Sequence, residues 1–165
     1  MKYGFVGSHG VGKSAAAHFL AAKLKKEDPT KAIKVLEESV RIISKLAEIN
    51  SLSFVKLSIL DSLFQQELFN ISYNTIICDR IPLDYLVYAE YFSKKIPYEY
   101  KMLAVENALK FDKIYFIRPD STPIADDGFR LTNIEERNNI DELFKDMLVS
   151  WNIAFEEART EDIFK

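Results

Sequence analysis

Short apolar runs alternate along the chain with longer stretches in which apolar residues recur every three to four positions. Lys2 to Val6 (KYGFV) is a β-type run stopped by Gly7. KSAAAHFLAAKLKKE follows as an alanine-rich helix that ends at EDPT. Ile33 to Leu36 reads as a second strand, terminating in Glu37 and Glu38. SVRIISKLAEIN reads as a helix with Ser39 as its N-cap. SFVKLSILDSLFQQELFNIS reads as a longer helix, with Phe54, Leu57, Leu60, Phe64 and Leu68 at three-to-four spacing. TIICD is a third strand, apolar without alternation, as a strand covered on both faces should be. LDYLVYAEYF and PYEYKMLAVENALKF, the latter with Pro97 near its start, are two further helices. KIYFI (Lys113 to Ile117) is a fourth strand, and RPDSTPIADDGFRLTN is a loop rich in turn residues. IEERNNIDELFKDMLVSW is a helix, NIAF a short fifth strand and TEDIFK a helical tail. This alternation predicts an α/β fold, a three-layer αβα sandwich around a five-stranded, mostly parallel sheet.

The 165 residues suit one domain, here taken as 1–165, since no repeat, low-complexity tract or linker divides them. A balance of 48% hydrophobic and 28% charged residues is that of a globular chain rather than a disordered one. Net charge of −3 argues against a strongly basic duplex-binding surface. The lysine clusters Lys23, Lys25, Lys26 and Lys94, Lys95 are the candidates for a local basic patch, and they read first as solvated surface. The lone cysteine, Cys78, sits in an apolar run, reads as a core residue and forms no internal disulfide. With no long apolar span and no signal-peptide core at MKYGFVG, the expectation is a cytoplasmic protein with no membrane contact.

Parallel sheets of this kind hold ligands at the C-terminal ends of their strands. The chemically loaded residues follow strands one to four: Gly7 to Ser14, Glu37 and Glu38, Asp79 and Arg80, and Arg118. Gly7, Gly12, Lys13 and Ser14 match G-x-x-x-x-G-K-[ST] between a strand and a helix, the Walker A setting of a phosphate-binding loop. In such a loop glycines let backbone amides approach phosphate oxygens, and the following helix points its positive end at the anion. Ser8, His9, Gly10, Val11 and Ala15 complete the expected nucleotide-binding segment. Lys13 is expected to reach the β/γ-phosphates, and the Ser14 hydroxyl and Asp79 to hold Mg²⁺. His9 reads as structural. A single acid follows the third strand. Arg80 stands where a mechanical ATPase would place a second acid, and an arginine suits an anionic substrate or a transferring phosphoryl group.

GSHGVGKS, together with CDRIPLDYLVY and DDGFR, resembles the small P-loop kinases of the AAA_28 / ribosylnicotinamide-kinase-like type, many of them carried by phages and bacteria. The chain is more distantly similar to thymidylate kinases and deoxynucleoside kinases, over nearly its whole length. The resemblance implies strand order 2-3-1-4-5, Asp79 as the acid after the third strand, and a carboxylate after the second strand that binds or deprotonates the acceptor. Glu37 and Glu38 both lie there, and Glu38 with Arg41 is the preferred match. It also implies a lid over the phosphates, about 118–137, with Arg118, Arg130 and Arg137 at its arginine positions in decreasing order of specificity. Two departures stand out. Ala15 replaces the hydroxyl residue usual after the lysine-serine pair, and the last helix ends early, so no residue is assigned to the usual C-terminal contacts to the adenine ring.

The expected activity is transfer of a phosphoryl group from ATP·Mg²⁺ to a small nucleoside, nucleotide or ribosylnicotinamide-like acceptor, by positioning and charge neutralisation. The catalytic candidates are Lys13, Asp79, Arg80, Glu38 and Arg130, with Arg118 on the nucleotide. Glu38 is read equally as a proton acceptor and as an acid complementing a helix N-terminus. Arg41 is read equally as orienting acceptor anions and as a helix surface charge. Arg130, beside Gly128, is expected to arrive on lid closure, held back in the open state by Asp126 and Asp127. Arg137 is expected in a surface salt bridge. Gln65 and Gln66 read first as exposed helix residues, with pairing to a base or amide edge as the functional alternative. Tyr85, Tyr88, Tyr91, Phe92 and Tyr98 read first as core, and second as a stacking acceptor pocket. Two alternatives stay open: a kinase acting on a DNA or RNA hydroxyl, and a regulatory ATPase without transfer. No guanine-recognition motif and no helical motor lid is present in the sequence. A dimer is compatible with a kinase of this size.

Overall fold

The pleat of each strand decides which of two cores its side chains serve. Along β1 (Lys2–Val6), Tyr3 and Phe5 pack with Ala16, Ala17 and Leu20 of α1 (Lys13–Glu27), while Val6 points to the other side. β3 (Thr75–Cys78) repeats the division, with Ile77 toward α1 and Ile76 and Cys78 away from it. So does β4 (Lys113–Ile117), with Ile117 on the α1 side and Ile114 and Phe116 opposite. The opposite, larger core is closed by α3 (Leu52–Asn70), α4 (Pro82–Tyr91), α5 (Tyr98–Ala108) and α6 (Ile134–Ser150). A fully buried side chain such as Ile76 or Phe116 stabilises the fold by about 1.5–3 kcal/mol relative to leaving it exposed.

These relationships come from a computed structural model that describes residues 1–49, 51–119 and 133–159, excluding the side chain of Arg41. The sheet order is β2-β3-β1-β4-β5, as expected, with β2 at Ile33–Leu36 and β5 at Glu156–Ala158. Every pairing is parallel, with Gly4 beside Cys78, Val35 beside Ile77 and Phe5 beside Tyr115. Gly4 has a packing reason. A Cβ there would stand 3.0 Å from the Ile81 side chain and 3.1 Å from the Phe111 ring. Among the described residues no helix is long and apolar enough to cross a membrane.

Three local expectations are corrected. The fifth strand runs over Glu156–Ala158, not over NIAF, because Asn152 takes a left-handed turn (φ 52°) that drops Ile153 into the core before the strand begins. The helix after β2 is the single turn α2 (Val40–Ile43), and Ser39 does not cap it through its side chain. The Ser39 hydroxyl instead accepts a hydrogen bond of 2.9 Å from Gln65 Nε2. Third, Gln66, read as exposed, is buried, because most of the apolar stripe that marks α3 as a helix lies on the opposite, outer side. Phe54 is buried, but Leu57, Leu60, Phe64 and Leu68 face solvent, and the core side is Val55, Ser58, Ile59 and Gln66. Gln66 is therefore no exposed polar residue. It exchanges amide hydrogen bonds with Asn107 of α5, at 2.9 and 3.4 Å. The expected helical tail, the loop tip with Arg130 and residues 120–132 of the expected lid lie outside the described residues.

Candidate active site

The loop after β1 is forced into its path by three glycines at positive φ: Gly7 (141°), Gly10 (70°) and Gly12 (84°). At Gly7 a side chain is excluded twice over, since a Cβ would lie 2.4 Å from the Ile117 carbonyl oxygen. Val11 anchors the loop in the α1 core, and Ser8 and His9 are buried. His9 Nδ1 lies 3.2 Å from the Tyr88 hydroxyl, which accords with a structural role for the ring. Gly12 is the N-cap of α1, and the helix carries no acid in its first turn. Its N-terminal amides and dipole are thus left available to an anion.

Lys13 folds back onto this loop. Its ammonium group is buried and donates to the carbonyls of Gly7 (2.8 Å) and Ser8 (2.7 Å). Burial first, and then the neighbouring Arg80, pull its pKa down, against the opposing pull of Asp84 and Asp79. Ser14 donates its hydroxyl proton to Asp79 Oδ2 at 2.5 Å, joining the first turn of α1 to the end of β3. Asp79 is itself fixed by its backbone amide, which donates to Leu36 of β2 at 2.9 Å. Ser14 and Asp79 present two hard oxygens side by side, which fits Mg²⁺, an ion commonly held by one or two protein oxygens and completed by waters and phosphates. No group of three or more His, Cys, Asp or Glu able to hold a metal occurs among the described residues.

Arg80 forms an ion pair with Glu38, and its guanidinium lies 5.4 Å from the centre of the Tyr88 ring. Burial alone would lower the guanidinium pKa, but Glu38, followed by Tyr88 and Asp84, outweighs it and holds Arg80 charged. The two adjacent acids after β2 are thereby told apart. Glu38 turns to Arg80, whereas Glu37 is exposed and stands 3.3 Å from His18 Nε2. Gly10, Val11, Gly12, Lys13, Ser14, Ala15, Glu38, Asp79 and Arg80 together line one cleft of about 260 Å³. A small second recess adjoins it, shared by Glu38 and Arg80 with Ser39, Asp61, Gln65 and Tyr85. Gln65 is held there by donating to both Ser39 Oγ and Asp61 Oδ2, the latter at 2.8 Å.

Other candidates fall elsewhere. Arg118 does not line this cleft. It is surrounded by carboxylates, with Asp141 at 2.8 Å, Glu142 at 2.9 Å and Glu157 at 3.9 Å, on a separate cavity of about 540 Å³. Arg137, expected in a surface salt bridge, is buried on α6, because its position falls on the same inward face as Ile140, Asp141 and Phe144. Tyr85 and Tyr88 border the site, whereas Tyr98 is exposed. Arg130 and the Arg41 side chain lie outside the described residues.

Asp84 was missed in the sequence, where it is an ordinary acid in the first turn of a helix. It is fully buried, accepts from the Ile81 amide at 3.1 Å, and leaves Oδ1 without a hydrogen-bond partner. Burial raises its pKa, with Lys13 and Arg80 pulling the other way. The signal that could have found it is its position one turn beyond Asp79 and Arg80 in DRIPLD.

Comparison with known proteins bears on the fold and the family. No curated protein sequence matches the chain. Solved structures that share its fold include two kinases. One is deoxyadenosine kinase from M. mycoides with bound dATP, at a TM-score of 0.63, 14% identity, and coverage of 98% of this chain and 92% of that one. The other is thymidylate kinase from Ehrlichia chaffeensis, at a TM-score of 0.65, 18% identity, and coverage of 96% and 91%. At these identities the likeness is one of fold. The family itself is settled by the sequence, since residues 2–164 match the AAA_28 family (AAA domain), and the chain belongs to it.

Proposed function

We propose that the protein transfers the γ-phosphoryl group of ATP·Mg²⁺ to a hydroxyl of a small nucleoside-like acceptor. The observation that carries this reading is the convergence on one cleft of a phosphate loop, a serine-aspartate oxygen pair and the Glu38–Arg80 ion pair. In this reading, Gly7 to Ala15 hold the phosphates, and Lys13 exchanges its carbonyl partners for β/γ-phosphate oxygens. Ser14 and Asp79 would hold Mg²⁺, which when bound would supply charge neutralisation at the phosphates. Glu38 accepts the acceptor's hydroxyl proton, and Arg80 keeps the carboxylate oriented toward it. Arg130 acts from the lid. Both fold relatives are kinases by name, one for a nucleoside and one for a nucleotide, and they support the reaction class.

The walls of the smaller recess favour a neutral alcohol over a nucleotide as acceptor. Its described charges are Glu37, Glu38, Asp61 and Arg80, and Arg80 is already matched by Glu38. A phosphate entering there would have to compete with Glu38 for Arg80 and sit among carboxylates. The test is ADP release from ATP·Mg²⁺ with nucleosides, nucleoside monophosphates, ribosylnicotinamide and 5′-hydroxyl DNA as acceptors. One acceptor is expected to raise the rate well above background, with Lys13→Ala removing the gain. ADP release that no acceptor changes would overturn the reading.

A further inference from the structure

Tyr88 of α4 touches both halves of the cleft. Its hydroxyl lies 3.2 Å from Nδ1 of His9, a buried residue inside the phosphate loop. The Arg80 guanidinium stands 5.4 Å from the centre of its ring, within cation–π range, and Arg80 in turn is paired with Glu38. The tyrosine is itself held in place, packed at 80° against the Phe144 ring of α6 with centroids 6.3 Å apart. Desolvation pushes its phenol up to about 12, although Arg80 pulls the other way, so the hydroxyl keeps its proton at neutral pH. Four side chains, His9, Tyr88, Arg80 and Glu38, thus run in sequence from the loop after β1 to the end of β2. A tyrosine hydroxyl out of water needs a partner, but that partner can be any polar group nearby. Here it belongs to the phosphate loop, while the ring of the same residue carries the cation that orients the proposed base.

The loop end of this series is the part that a nucleotide would disturb. Lys13 donates to the carbonyls of Gly7 and Ser8, the two residues that precede His9. On the reading of the cleft given above, on which this inference rests, Lys13 leaves both carbonyls for phosphate oxygens. The backbone that carries His9 then loses two charged hydrogen bonds, and any resulting shift reaches Tyr88 through the imidazole. An interaction that ties two binding sites makes the affinity at each depend on occupancy of the other. We propose that Tyr88 is a positioning residue whose hydroxyl, through His9, ties Arg80 and the Glu38 carboxylate to the phosphate loop, so that nucleotide in the loop strengthens acceptor binding at Glu38.

Tyr88→Phe tests this, since it removes the hydroxyl and keeps the ring that packs on Phe144 and faces Arg80. The first readout needs no acceptor. The chain has two histidines, His9 and His18, so the ring ¹⁵N signals of His9 can be assigned in the full chain with His18→Gln. Glu38→Gln, which loosens Arg80, is expected to move the His9 signals in the wild-type background and to leave them in place in Tyr88→Phe. Equal movement in both backgrounds, or none in either, overturns the proposal. The second readout is calorimetric: the Kd of the best nucleoside from the ADP-release panel, with and without a non-hydrolysable ATP analogue and Mg²⁺. In the wild type the analogue is expected to tighten acceptor binding about 5-fold or more, and in Tyr88→Phe by less than about twofold. The variant is expected to lose about 3- to 10-fold in acceptor-dependent kcat, while its Kd for the analogue alone stays within about twofold of wild type. A gain that survives in Tyr88→Phe overturns the proposal, and so does a wild type that shows none. A panel in which no acceptor changes ADP release overturns the transfer reading alone, and the His9 signals then decide by themselves whether Tyr88 links the loop to the ion pair.

Discussion

Glu38 and Arg80 form an ion pair between the ends of two neighbouring strands, β2 and β3, on residues that are 42 positions apart in the chain (80 − 38). The pairing gives each a task the other cannot take. Glu38 keeps Arg80 charged and Arg80 fixes the carboxylate, which in the proposed reaction takes the acceptor's proton. Glu38→Gln keeps the shape of the side chain and removes the basicity. It is expected to lower acceptor-dependent kcat by about 10²–10⁴-fold. Steady-state kinetics with a fixed acceptor check this, and a variant with wild-type kcat would exclude Glu38 as the base.

The serine-aspartate contact predicts a metal phenotype. Asp79→Asn removes the charge that would hold the cation. The Mg²⁺ concentration for half-maximal activity is expected to rise about 10- to 100-fold, with a smaller rise for Ser14→Ala. Magnesium titrations at saturating ATP would read both, and equal Mg²⁺ dependence in all three proteins would contradict the assignment.

Gly7 offers a test of the scaffold that is independent of catalysis. Gly7→Ala forces a side chain into a φ of 141° and against the Ile117 carbonyl. The cost is expected to be about 1–3 kcal/mol. At about 2–4 °C per kcal/mol for a chain of this length, thermal unfolding should show a drop of several degrees.

Asp141 sets a pH dependence. Burial raises its carboxyl from 3.8 to about 6, against the opposing pull of Arg118. Between these values the folded chain holds a proton that the unfolded chain has released. The stability it contributes is full below 3.8 and is lost as pH rises through about 6. Asp141→Asn removes that loss. Its stability relative to wild type is therefore expected to improve from pH 4 to 6, by at most about 1.4 kcal/mol per pH unit. Urea unfolding across that range checks the slope, and a flat or falling difference would contradict it.

What was legible in the sequence is what local chemistry dictates. Gly7, Gly12 and Lys13 announce their loop because a tight anion-binding turn needs those residue types in that order. Ile76 and Ile77, apolar on consecutive positions, announce a strand covered on both faces. Asp79 and Arg80 could be read as cleft residues because they end that strand. Arg118 ends a strand too, yet its surroundings are set by Asp141 and Glu157, which reach it only through the packing of α6 and β5. The three-to-four spacing of Leu57, Leu60, Phe64 and Leu68 identifies a helix correctly but carries no label for the inward side. That side is fixed by where Gln66 finds Asn107. Asp84 was invisible because a first-turn acid is ordinary, and only burial beside Lys13 makes it unusual.

The Gln66–Asn107 exchange has a mechanical consequence. Two primary amides that satisfy one another inside an apolar layer act as a detent between α3 and α5. Sliding either helix by one residue would strand both amides at about 1–3 kcal/mol each, whereas rolling the two helices together leaves the contact intact. Gln65, the next residue, faces the recess beside Glu38. An axial slip of that wall would therefore break the contact that ties α3 to α5.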